Sequence, residues 1–129
     1  MPELPEVETT VKSLNILKNK KVINVDIHVK KLRYLVPHLG LKNIIDYKIK
    51  GLRRIAKYII IDFSNFKTVI IHLGMSGRLK IVKPNVTLNK HDHLVFKFNN
   101  LKLIFNDPRR FGFVDIVNSK KINNISYIK

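Results

Sequence analysis

The chain has 129 residues, 45% of them hydrophobic, with 25 lysines and arginines against nine acids and a formal net charge of +16. That apolar share excludes a disordered basic tail and suffices for one domain with its own core, while the lack of cysteine excludes disulfides and a thiolate zinc site within these residues. No apolar run approaches the ~20 residues of a membrane helix, the acidic start has no signal-peptide pattern, and a compact domain this basic repels itself unless it meets a polyanion, nucleic acid before an acidic membrane.

Part of the lysine excess follows the Lys-, Asn- and Ile-rich pattern of AT-rich coding. The arginine pairs Arg53-Arg54 and Arg109-Arg110 do not. The chain opens Met1-Pro2-Glu3-Leu4-Pro5-Glu6. Removal of Met1, usual before a small residue, would leave Pro2 as a free secondary amine. An α-amino group has a pKa near ~8 and is partly neutral at pH 7, where a lysine near ~10.4 is protonated. A neutral amine can attack a carbonyl carbon and form a Schiff base, with Glu3 as general acid or base. The same residues also suit an ordinary helix start, because proline fits a first turn and acids favour the helix dipole there. Glu3, Glu6 and Glu8 lie together in a basic chain, which points to a site rather than a solubilising surface.

From Pro5 to about Lys18, Val7, Val11, Leu14 and Leu17 recur at steps of four and three, which predicts a helix with one apolar face. Asn19 and the lysines after it end it. Ile23, Val25, Ile27 and Val29 then alternate with polar residues, which predicts a half-buried strand. Residues 35–46 are irregular around Pro37 and Gly40, with room for a short helical turn. Six short runs rich in β-branched and aromatic residues follow: Tyr58–Phe63, Thr68–Leu73, Leu79–Val82, Leu94–Phe98, Leu101–Phe105 and Phe113–Val117. Asn99-Asn100 reads as a tight hairpin turn, because asparagine tolerates positive φ. The pattern predicts a mainly β (α+β) domain: an N-terminal helix and a two-sheet β-sandwich of about eight short strands.

Two loops stand out. His72-Leu73-Gly74-Met75-Ser76-Gly77-Arg78 lacks the Lys-Ser/Thr ending of a phosphate-binding loop and by itself reads as a hairpin turn. Its unusual feature is an apolar Met75 near the tip. Asn106-Asp107-Pro108-Arg109-Arg110-Phe111-Gly112 starts a turn with Asp-Pro. Its arginines can contact phosphate or base edges, and Phe111 can wedge between stacked bases or pack inward. His91-Asp92-His93 puts two histidines on one strand face. A metal there would need further ligands, and none is expected.

Five segments occur in order: MPELPEVET, RRIAKY, HLGMSG, KHDH and NDPRRFG. They closely resemble the N-terminal part of formamidopyrimidine-DNA glycosylase, the bacterial repair enzyme that removes oxidised purines. The resemblance implies a β-sandwich glycosylase and abasic-site lyase domain over residues 1–117. In it Pro2 is the nucleophile at C1′, Glu3 assists opening of the sugar ring, and Lys57 donates a proton in β-elimination beside a phosphate. Glu6 joins Glu3 in opposing the effect of Lys57 on the Pro2 amine. The family flips the damaged base out of the duplex and fills the gap with three side chains, which correspond to Met75, Arg109 and Phe111. His72, His91 and Arg110 are expected on DNA. Retention of all three filling residues and Leu4 favours the oxidised-purine branch over endonuclease VIII.

The implied partner is double-stranded DNA holding oxidised purines or abasic sites, bound by a monomer in a bacterial cytoplasm at the nucleoid, without a membrane. No cofactor is expected within the chain, since the family's zinc belongs to a C-terminal four-cysteine finger. That finger and the preceding helix–two-turn–helix module have no counterpart here, so residues 118–129 read as the start of a linker and weak activity is expected of this piece alone. Alternatives are a non-catalytic DNA-binding remnant, half of a split enzyme, an endonuclease VIII-like enzyme for oxidised pyrimidines, or a basic RNA-binding protein, which would leave the five segments unexplained.

Overall fold

The computed structural model describes residues 3–128. The expected first helix forms as α1 (Leu4–Ser13) and continues as a 3-10 turn over Leu14–Leu17. Glu3 caps it with extended backbone and Pro5 sits in its first turn, where a missing N–H costs nothing. Val7, Val11, Leu14 and Leu17 are all buried, worth about 1.5–3 kcal/mol each, and α1 packs on the strands Ile49–Ile55 and Tyr58–Phe63.

Eight strands form two antiparallel four-stranded sheets. In order across the first sheet are β1 (Asn24–Ile27), β6 (Asp92–Lys97), β7 (Lys102–Asn106) and β5 (Arg78–Val82). Across the second are β2 (Ile49–Ile55), β3 (Tyr58–Phe63), β4 (Lys67–His72) and β8 (Phe113–Asn118). A short helix α2 (His38–Lys42) follows β1. The core between the sheets takes Val25, Leu94, Phe96, Leu103 and Phe105 from one side and Ile59, Ile61, Val69, Ile71 and Val114 from the other.

β3 and β4 are apolar on both faces. Ile60 and Ile70 point outward yet are fully buried, because residues 119–128 lie over that side. Ile122, Ile125, Tyr127 and Ile128 pack on Ile55, Tyr58, Ile60, Ile70 and Val117. Ser119 N–H donates to the Phe66 carbonyl at 2.8 Å, and Tyr127 Oη donates to Asp115 Oδ2 at 2.7 Å. The segment read as the start of a linker therefore lies, up to residue 128, against this sheet face.

Three local expectations change. Ile23 is exposed at 43%, and the inward alternation begins at Val25. β2 is a strand with no counterpart among the expected runs. It is an edge strand with a register shift between Ile49 and Gly51, so Ile49, Leu52 and Ile55 recur every third residue and hide the period of two. The expected β6–β7 hairpin forms at Asn99-Asn100, with Phe98 N–H donating to the Leu101 carbonyl at 3.0 Å, but neither asparagine has positive φ. Ala56, in the β2–β3 turn, does, at 50°.

Candidate active site and nucleic-acid interface

Strand register brings the singled-out segments to one end of the sandwich. Tyr58 pairs with His72 and His72 with Phe113, so the Ala56-Lys57 turn, the start of the 73–77 loop and the end of the 107–112 loop lie side by side. The 73–77 segment is not a hairpin: β4 and β5 belong to different sheets, and it crosses between them. The 107–112 loop crosses back, from β7 to β8. The two crossings pack backbone to backbone. A Cβ on Gly74, whose φ is 62°, would lie 2.4 Å from the Gly112 nitrogen, so this contact admits only glycine.

Glu3 and Lys57 meet at this end, with Oε2 to Nζ at 3.9 Å. Glu3 is exposed and Lys57 half-buried, so the pair adds little stability and leaves part of the ammonium open to a ligand. Glu6 is exposed and its N–H donates to the Glu3 carbonyl at 3.0 Å. Pro2 lies outside the described residues. The turn carrying Lys57 is tied to α1 by Arg54, whose guanidinium bonds Glu8 Oε2 at 2.5 Å and the Ala56 carbonyl at 2.8 Å.

An open cleft of about 640 Å³ runs from His72 along Met75, Arg110 and Phe111, with Lys31, Leu32 and Arg33 on its far wall. Met75 and Phe111 are 46% and 45% exposed and share the lining of one cleft with three cations. The Arg109 guanidinium lies 5.2 Å from the centre of the Phe111 ring, and Phe111 shares the cleft lining with Met75, so the three form one exposed tip at the cleft. His72 Nδ1 accepts the Gly74 N–H at 3.0 Å, which leaves Nε2 to carry the proton of the neutral ring. Burial, then the charges of Arg33 and Lys57, hold the His72 pKa below its ordinary value. Its ring stacks on Phe113 at 5.4 Å. His91 is half-buried beside His93, rings 6.1 Å apart. His93 is buried, and its Nε2 donates to the Asp107 carbonyl at 2.9 Å.

A model of the formamidopyrimidine-DNA glycosylase N-terminal domain matches residues 1–114. The chain belongs to the formamidopyrimidine-DNA glycosylase family. It is 48% identical over 116 residues to the enzyme of that name from Rickettsia canadensis (strain McKiel), covering 88% of this chain and 42% of the relative. It is 46% identical over 127 residues to that of Wolbachia pipientis subsp. Culex pipiens (strain wPip), covering 94% and 45%. The crystal structure of Lactococcus lactis formamidopyrimidine-DNA glycosylase bound non-covalently to DNA containing an AP site superposes with a TM-score of 0.89 at 30% identity, over 95% of this chain and 48% of that one. The chain thus spans somewhat under half the length of the relatives it matches, and its likeness in fold runs past residue 114.

Within the family's N-terminal domain, the structure gathers Glu3, Lys57, His72, Met75, Arg109, Arg110 and Phe111 at one end of the sandwich. It adds four residues that sequence reasoning passed over. Lys31 and Arg33 line the cleft, with Arg33 N–H bonded to the Gly112 carbonyl at 3.0 Å. Their signal was the basic stretch after β1. Ser76 and Asp107 join the two loops. Asp107 looked only like the first residue of an Asp-Pro turn, because burial of its carboxyl group is a tertiary property.

Proposed function

We propose that this chain provides the catalytic half of a base-excision DNA glycosylase for oxidised purines that also cleaves abasic sites. The observation that carries the reading is the convergence, at one end of the sandwich, of the Glu3–Lys57 acid–ammonium pair, whose Glu3 follows Pro2 in the sequence, and an exposed Met75–Arg109–Phe111 tip. Extrusion of a nucleotide leaves a gap that an apolar wedge and an arginine can occupy. The Pro2 amine would attack C1′ as the bond to the base breaks. Glu3 would protonate the ring oxygen, leaving C1′ bonded to the proline nitrogen as an iminium ion. Loss of the C2′ proton then expels the 3′ phosphate, and the Lys57 ammonium would favour that departure. The cations of the cleft wall, Lys31, Arg33 and Arg110, suit the phosphate backbone.

Matching of under half of each relative gives weight to a second reading, in which the chain binds DNA but needs further residues for turnover. Strand cleavage separates the two. Duplexes with 8-oxoguanine, a formamidopyrimidine, an oxidised pyrimidine or a preformed abasic site are incubated with the chain and its Glu3→Gln variant. Purine-lesion cleavage exceeding pyrimidine-lesion cleavage is expected, with Glu3→Gln lowering base excision about tenfold or more and cleavage of the preformed abasic site much less. Salt-sensitive binding without cleavage would support the second reading, and equal losses on both substrates would contradict the role of Glu3.

A further inference from the structure

The carboxyl group of Asp107 is fully buried and clasps the two crossing loops. Oδ1 accepts the Ser76 hydroxyl at 2.6 Å from the 73–77 loop. Oδ2 accepts the Gly112 N–H at 2.8 Å from its own loop. Ser76 Oγ accepts the Arg109 N–H at 3.0 Å, so the bonds cross the gap between loops twice. The Asp107 backbone is held as firmly, its N–H on the His91 carbonyl at 3.1 Å and its carbonyl under His93 Nε2 at 2.9 Å. Every member of the exposed tip adjoins this network. Met75 stands between Gly74 and Ser76, Arg109 is bonded through its own N–H, and Phe111 precedes Gly112.

We propose that Asp107 is a positioning residue: it locks Met75, Arg109 and Phe111 into one preformed wedge. This rests on the reading of those three as the side chains that occupy the gap left by the extruded nucleotide. Unstacking and flipping cost a few kcal/mol, and ordering two loose loops at the same moment would add to that cost. A clasp formed beforehand avoids the addition. Two donors converge on the group, so it needs two acceptor oxygens. An amide offers one acceptor and one donor.

Asp107→Asn and Ser76→Ala, separately and together, test this in the full chain. Ser76→Ala keeps the Asp107–Gly112 bond and safeguards the test if Asp107→Asn folds poorly. Binding is measured to a duplex with a tetrahydrofuran abasic analogue flanked by 2-aminopurine, and to the same strand alone. Each single variant is expected to lose about tenfold in duplex affinity together with the 2-aminopurine signal of wedge insertion. Single-strand affinity should stay within about twofold, and the double variant should lose no more than the worse single one. Additive losses, or equal losses on duplex and single strand, would overturn the proposal. Met75→Ala and Phe111→Ala separate it from the reading beneath. If they weaken duplex binding and the clasp variants do not, the clasp fails alone. If they too leave duplex binding unchanged, the wedge reading fails and the clasp with it.

Discussion

His72 is held neutral by its surroundings. Burial comes first, then Arg33 and Lys57, and all three lower its pKa. The Gly74 N–H on Nδ1 sets the tautomer, so Nε2–H is a donor at neutral pH, suited to a phosphate oxygen. A histidine whose folded pKa lies below its unfolded value of about 6.5 contributes stability fully above that value and loses it as pH falls through the folded one. Nitrogen NMR of the ring is predicted to show the Nε2–H form at pH 7 and a midpoint below 6.5, which Lys57→Ala shifts upward. A midpoint at or above 6.5 would contradict the arrangement. Met75 and Phe111 were conspicuous as residue types, since large apolar side chains beside glycine or arginine in loops invite a partner. Asp107 and Arg33 were not, because only the folded chain shows which donors face a carboxyl group and which cleft a cation lines.

Among the elements, the two crossing loops depend on glycine where β2 does not. Gly74 combines φ of 62° with a contact that leaves no room for a Cβ, whereas a Cβ on Gly51 in β2 meets nothing within 4 Å. Gly74→Ala is predicted to cost about 1–3 kcal/mol or more, lowering Tm by several degrees, and Gly51→Ala to leave Tm nearly unchanged. Thermal unfolding followed by circular dichroism checks both, and equal Tm values would show that the loops have slack. The α1 face was readable because its apolar spacing is a local property. β2 was not, because an edge strand that carries Arg53, Arg54 and a bulge shows no alternation. Nor could local sequence tell that the 73–77 segment leaves one sheet for the other, since a crossing and a hairpin use the same small residues.

Across the whole molecule, 25 cationic side chains face nine acids. Among the described residues ion pairs engage Glu3, Glu8, Asp26, Asp62 and Asp92. The remaining positive charge favours a polyanionic partner. Composition made that much legible, and the ordered motifs gave the family. The packing of residues 119–128 was hidden, because Ile122, Ile125 and Tyr127 are too sparse to mark an element yet cover the apolar sheet face at Ile60 and Ile70. The central claim is amine chemistry at residue 2, the residue before Glu3 in the sequence. Borohydride trapping on an abasic-site duplex tests it most directly, using protein whose Met1 removal is verified by mass and a second sample with a blocked N-terminus. A covalent adduct mapped to Pro2 and lost on blocking is the predicted result. An adduct that survives blocking and maps to a lysine, or no adduct from the free N-terminus, would contradict the account.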